Sequence, residues 1–278
     1  MTYSIVGRDP DTGELGVAVQ SRAFNVGAAV PWGAPGVGVV ATQSYTEQSY
    51  GPLGLELLRA GKTPEQALEE LVAADKEPEY RQVAILDAEG RVAVHVGEAC
   101  IPAAGYMSGE GFSAQANMAA SERVWEAMAD AFAGSEGPLA ERLLDALDAA
   151  EAAGGDWRGR QGATILVVAA EGQPWEREAD LRVEDHPQPL AELRRLLRLG
   201  RAYEATRGPP GPSAEDLEIL PELDRLWARI FTATATGRLD EAREWLRPLL
   251  EDEPRWADFV RSLANRKLVP NADKLLDG

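Results

Sequence analysis

Cysteine occurs once in the 278 residues, at Cys100, and histidine twice, at His95 and His186. A single cysteine excludes an intrachain disulfide and any cysteine-based zinc site, and two histidines argue against a His-rich metal centre. No metal or cofactor is therefore expected. No apolar run approaches the ~20 residues that a membrane-crossing helix requires. The opening Met1-Thr2-Tyr3-Ser4-Ile5-Val6-Gly7-Arg8-Asp9 has neither a basic start nor a long apolar stretch. The expectation is a cytoplasmic protein with no membrane partner. Positive charge is also scarce: 28 Lys and Arg against 46 Asp and Glu leave a formal net charge of -18. Such a surface repels phosphate backbones, which disfavours nucleic acid as a partner and otherwise signals solubility.

With 45% hydrophobic residues, the chain can bury a core of one large domain, or of one domain and a smaller companion. Its organising stretch is the N-terminus. Thr2 to Gly7 reads as a strand, Asp9-Pro10-Asp11-Thr12-Gly13 carries the residues of a tight turn, and Gly16 to Arg22 reads as the returning strand. Strand alternation puts Thr2, Ser4 and Val6 on one face and Tyr3 and Ile5 on the other. A hydroxyl at the second residue is chemically unusual. Removal of the methionine before a small residue leaves a threonine with a free α-amine, a built-in base; if the methionine stays, the Thr2 nitrogen is an amide and cannot act as one.

Further along, residues 23–35 read as a Gly- and Ala-rich loop and 36–43 as a buried strand whose polar end, Thr42-Gln43-Ser44, stands out. Two helices follow, over 52–60 and from Pro64 to about Ala74, the second opened by a Thr63 cap. Residues 81–87 and 91–96 form a second hairpin, and 112–118 a strand whose end carries amides. Paired helices then run from a Ser121 cap through Ala133 and over 138–153. The polar run Asp156 to Gly162 leads into the strand 163–169. Strands in hairpins and helices in pairs exclude a doubly wound sheet and suit helix layers outside stacked, largely antiparallel sheets, an α+β class.

Thr2-Tyr3-Ser4-Ile5-Val6-Gly7-Arg8-Asp9, Gly16-Val17-Ala18-Val19-Gln20-Ser21-Arg22, the Gly36–Gln43 strand, Ser49-Tyr50-Gly51-Pro52-Leu53-Gly54, Gln115-Ala116-Asn117-Met118 and Arg158-Gly159-Arg160-Gln161-Gly162-Ala163 together resemble the bacterial and archaeal domain-of-unknown-function 1028 family. The resemblance is colinear from residue 2 to about 200. It implies the architecture of the N-terminal-nucleophile (Ntn) hydrolases, a four-layer αββα sandwich; it implies no particular reaction, since fold does not fix function.

The chemistry of that superfamily implies Thr2 as nucleophile, its α-amine taking the proton; an α-amine pKa of ~7.7–8.0 needs little tuning for this. Ser4 and Ser21 are the further hydroxyl candidates. An oxyanion site would draw on Gln43, Asn117, Gln161 and Gly162, and Arg22 and Arg160 would hold a substrate carboxylate. Each has a bland reading: Thr2 and Ser4 are ordinary strand residues, the amides and Arg160 satisfy buried backbone at strand ends, and Arg22 pairs with an acid. The chain also departs from proteasome-type sites, because no lysine precedes Lys62 and Gln20 and Ser21 stand where an acid is looked for.

Residues 1–206 are assigned to the sandwich and a trailing helix, 207–212 to a Pro/Gly linker, and 213–278 to a small all-α, tetratricopeptide-like unit. That unit suits a protein partner or self-association into a homo-oligomer. Three functions remain open: a metal-independent hydrolase or acyltransferase acting on a small amide or related acyl bond, a catalytically inactive ligand-binding relative, or a helical adaptor with the large domain as scaffold.

Overall fold

The computed structural model describes residues 2–207 and 211–276. They divide into two compact units, one ending at Arg195 and the other starting at Leu196. The division falls within a helix upstream of the expected 207–212 linker; residues 208–210 of that linker, and Met1, lie outside the described residues.

The first unit begins with the expected hairpin. Strand β1 (Thr2–Arg8) turns at Asp9, whose Oδ1 accepts the N–H groups of Asp11 and Thr12 at 2.9 Å each, and Gly13 takes the positive φ of +75° that closes the reversal. Strand β2 (Leu15–Ser21) then returns with Thr2 opposite Ser21. After it come β3 (Pro31–Ala34), β4 (Gly38–Ser44), helices α1 (Tyr50–Arg59) and α2 (Pro64–Ala74), then β5 (Arg81–Asp87), β6 (Val92–Val96), β7 (Gly105–Gly109) and β8 (Phe112–Asn117). Helices α3 (Arg123–Gly134) and α4 (Leu139–Ala152) and strands β9 (Gly162–Val168) and β10 (Ala179–Val183) complete the series, and α5 (Pro189–Ala205) is the helix within which the division falls.

The strands form two sheets, ordered β10-β9-β2-β1-β8-β7 and β3-β4-β5-β6, and every pairing is antiparallel. Val6, Val17, Val19 and Leu166 of the larger sheet meet Val39, Ala84 and Leu86 of the smaller one in a dry layer. Full burial of such a side chain contributes about 1.5–3 kcal/mol, so this layer holds the sheets face to face. The outer face of the larger sheet is covered by α3 and α4, that of the smaller by α1 and α2. The result is the four-layer αββα sandwich that the resemblance implies, with every residue of β9 buried.

Three local expectations are corrected. Residues 23–35 are not all loop: β3 is an edge strand beginning at a proline, a position where the missing N–H is tolerated, and its proline and glycine hide it from a β-propensity reading. The exposed edge strand β10 escaped notice as well. Helix α3 begins at Arg123 with Glu122 at its cap position, and Ser121 contributes only its carbonyl, to Val124 N–H.

The second unit contains α6 (Ala214–Ile219), with a Ser213/Asp216 capping box, and the amphipathic helices α7 (Glu222–Ala235), α8 (Leu239–Asp252) and α9 (Trp256–Asn265). Trp227, Ile230, Leu246 and Val260 form its core, and Trp227, Phe231, Trp256 and Phe259 meet in tilted and edge-to-face contacts. Among the described residues no helix is long and apolar enough to cross a membrane.

Candidate functional site

The layer between the sheets changes character along its length. Where β1 ends it is aliphatic; where β1 begins it is polar. Across four neighbouring strands of the larger sheet, Asn117, Thr2, Ser21 and Gly162 stand side by side in one row. The inward-facing residues of the opposing sheet at this end are Gln43 and Gln82, themselves a cross-strand pair.

Buried polar groups must find partners, and here they find one another. The Thr2 and Ser21 hydroxyls lie 3.0 Å apart. Ser4 donates to Gln43 Oε1 at 2.7 Å and accepts from Gln115 Nε2 at 2.7 Å. Gln43 Nε2 donates to Gln82 Oε1 at 2.7 Å, and Asn117 Nδ2 reaches the same oxygen at 3.0 Å. Gln82 Nε2 in turn donates to the carbonyls of Gly105 and Ala116, at 3.1 and 2.9 Å. With two bonds accepted and two donated, the Gln82 amide has one orientation only, and it aims Asn117. Ser4, Ser21, Gln43, Gln82 and Gln115 are fully buried, Asn117 is 2% exposed, and Thr2, at 9%, is the most open member.

The loops leaving this end are shaped around it. Ser44 at the end of β4, Met118 just after β8 and Asn25 in the loop that follows β2 are non-glycine residues with φ of 74°, 51° and 60°. Such conformations are costly and gather where the surroundings over-determine them, functional sites included. Asp156, buried on the loop before β9, accepts from the backbone N–H of Arg22 at 2.9 Å and from that of Arg158 at 2.9 Å, and pairs with the Arg158 guanidinium at 3.1 Å. Arg22 Nη1 donates to Gln161 Oε1 at 2.9 Å, and Gln161 Nε2 donates to Asp185 at 3.1 Å.

On the opposite face of β1, Tyr3 donates to Glu151 Oε2 at 2.6 Å, and Glu151 also pairs with Arg160. Burial, reinforced by that carboxylate, pushes the Tyr3 phenol well above its usual range, so it stays a neutral donor. A separate cleft of about 390 Å³, lined by Tyr50, Leu53, Asp75 and Arg81 among others, opens on the helix-covered side of the smaller sheet, and no member of the Thr2 row lines it. There the Arg81 hydrogen bond holds the Asp75 carboxyl down at about 2.

Of the residues singled out in the sequence, Thr2, Ser4, Ser21, Gln43 and Asn117 thus share one hydrogen-bonded cluster, Gly162 extends its row, and Gln161 and Arg22 sit one step beyond the strand ends. Arg160 is drawn to the helix side by Glu151. Gln82, Gln115 and Asp156 were missed. A signal existed for the two glutamines: each occupies the inward parity of a strand, Gln82 in step with Ala84 and Leu86, and an amide on a core-facing position has to be networked.

The fold and this strand-end cluster define an αββα sandwich with a buried polar cluster at the first residue of its central strand. The chain belongs to the Family of unknown function (DUF1028), which matches residues 2–193. A crystal structure of a DUF1028 protein from Silicibacter pomeroyi is similar at a TM-score of 0.66 and 32% identity, covering 75% of this chain and 90% of that one. Anbu (ancestral beta-subunit) from Yersinia bercovieri matches at a TM-score of 0.34 and 13% identity over 74% of this chain and 98% of that one. An Anbu (Gly-1) mutant from Hyphomicrobium sp. strain MC1 matches at 0.36 and 13%, over 73% and 97%. No curated protein matches the chain.

Proposed function

We propose that the sandwich is a hydrolase or acyltransferase that cleaves a small amide or related acyl bond with the Thr2 hydroxyl as nucleophile. One observation carries this reading: within a buried polar cluster the most exposed residue is Thr2, at 9%, its Oγ1 held 3.0 Å from Ser21 Oγ at the start of the central strand. The step requires that whatever precedes Thr2 be removed. Oγ1 then attacks the acyl carbon, the freed α-amine takes the hydroxyl proton, and the negative charge gathers on the former carbonyl oxygen. Asn117, whose Nδ2 keeps a second N–H beyond its bond to Gln82 Oε1, is the side-chain donor this reading assigns to that oxygen. Collapse breaks the bond to the leaving amine, which receives the proton, and leaves an ester on Thr2 for water or a second acceptor. The amine supplies the base, so the mechanism needs no metal. Ser4, bonded on both sides by Gln43 and Gln115, belongs to the scaffold of the site.

A β-lactone tests this, because ring opening by a nucleophilic hydroxyl adds the whole probe mass. Protein trimmed to Thr2 should gain one probe mass on its N-terminal peptide, and Thr2→Ala or a blocked α-amine should abolish it. Equal labelling of an N-terminally extended form would rule out the free amine as base.

A further inference from the structure

We infer that Arg22 is the anion-holding group of the strand-end site, and that its substrates are amides bearing a free carboxylate, of which N-acyl amino acids are the simplest. This rests on the reading of Thr2 as nucleophile and adds the class of molecule presented to it.

The position follows from the sheet register. Ser21 faces Gly162 across β2 and β9, so Arg22 and Gln161 face each other one residue further out, and the hydrogen bond from Arg22 Nη1 to Gln161 Oε1 fixes that opposition at 2.9 Å. The backbone N–H of Arg22 is pinned by the buried Asp156 carboxylate. Arg22 and Gln161 both lie just past the ends of β2 and β9, where strand alternation no longer fixes which way a side chain turns; with strands about 4.8 Å apart and about 3.4 Å per residue, the backbone gap between them lies roughly 8 Å from the Thr2 backbone. That is about the span of an α-carboxylate from a nucleophile attacking the acyl carbon, once hydrogen bonds at both ends are included.

The charge distribution separates Arg22 from its neighbours. Around this strand end the guanidinium of Arg158 is neutralised by Asp156 and that of Arg160 by Glu151. Asp185, the acid reached by Gln161, receives the Gln161 Nε2 donor, which turns the amide so that its oxygen faces Arg22. Among the described residues no carboxylate pairs with Arg22, whose side chain is exposed. In a chain with 46 acids and 28 bases, an arginine that follows Ser21, the cross-strand partner of Thr2, meets a neutral amide instead of an acid. One of its five N–H donors is used on Gln161, and the remaining fork matches the two oxygens of a carboxylate. Phe24 and Trp157, on the loops that carry Arg22 and Asp156, are 70% and 61% exposed and offer apolar surface to the rest of such a substrate.

The test is calorimetric binding of a panel of N-acetyl amino acids, each matched to its neutral carboxamide, to Thr2→Ala protein, where turnover cannot interfere. Acids should bind more tightly than carboxamides. Arg22→Gln, with far-UV circular dichroism confirming an unchanged fold, should erase the preference and weaken the acids about tenfold to a hundredfold, the range of a charge-assisted hydrogen bond. Arg22→Lys should keep part of it. Absence of binding by every acid in the panel, or a preference that survives Arg22→Gln, overturns the proposal. Lactone labelling of Thr2 is read separately, so a labelled Thr2 without carboxylate preference discards Arg22 and leaves the nucleophile standing, and the converse result does the reverse.

Discussion

Gln82 and Gln20 are both fully buried, yet replacement by methionine, similar in shape, should move stability in opposite directions. Gln82 makes four hydrogen bonds, to Gln43, Asn117, Gly105 and Ala116. At about 1 kcal/mol each, Gln82→Met should cost about 4 kcal/mol, and more if the orphaned Asn117 amide cannot reach another acceptor. Gln20 lies on the helix-facing side of the larger sheet, opposite Tyr3, and neither its Nε2 nor its Oε1 has a partner. Removing an unsatisfied buried amide should return about 1–3 kcal/mol. Native-state hydrogen exchange of the slowest amides in β1 and β5 reports the opening free energy of this unit. Gln82→Met should accelerate them about a thousandfold at 1.36 kcal/mol per decade, whereas Gln20→Met should slow them. Equal acceleration by both variants would refute the reasoning, since it would mean that the Gln20 amide is hydrogen-bonded after all.

Ser4→Ala should destabilise the sandwich by about 2–4 kcal/mol in urea unfolding, because it strands Gln43 Oε1 and Gln115 Nε2, while lactone labelling of Thr2 persists. The carboxyl of Asp75 is lowered from its ordinary 3.8 to about 2 by Arg81. Its stabilisation, about 2 kcal/mol, is therefore complete above about pH 5 and lost as pH falls through about 4 to 2. Denaturant titrations at these pH values should show the loss, and Asp75→Asn should flatten it. Gly51→Ala should lower the melting temperature although alanine is the better helix former, because the added Cβ would meet the Trp32 ring at 2.2 Å. An unchanged or higher value would show that Trp32 can move aside.

The N-terminal hairpin was legible because its turn chemistry is local and its alternation is strict: Thr2 and Ser4 do face the second sheet while Tyr3 faces Glu151. The strand ends that carry Gln43 and Asn117 could be picked out for the same reason. What stayed hidden is non-local. Nothing in the run around Arg160 discloses that Glu151, at the end of α4, would take its charge. Gln82 sat inside a β-branched run whose apolar members dominated the reading, and its partners are supplied by β4, β7 and β8. Edge strands β3 and β10 are short, carry proline, glycine or charge, and are held by a neighbour more than by their own propensity.

The order of β10-β9-β2-β1-β8-β7 also bears on how the chain is made. The smaller sheet is complete once residues 31–96 have been synthesised, but β1, the first strand to emerge, waits for β8. Asn117 follows its partner Thr2 by 115 residues, an interval of roughly 6 to 23 seconds on the ribosome. During that time the hairpin of β1 and β2 presents two unpaired backbone edges and an apolar face, the state in which nascent chains aggregate or recruit chaperones. Variants that slow translation between residues 21 and 105 should thus lower the yield of folded protein more than equal delays placed after residue 183, when both flanks of the central pair have been delivered.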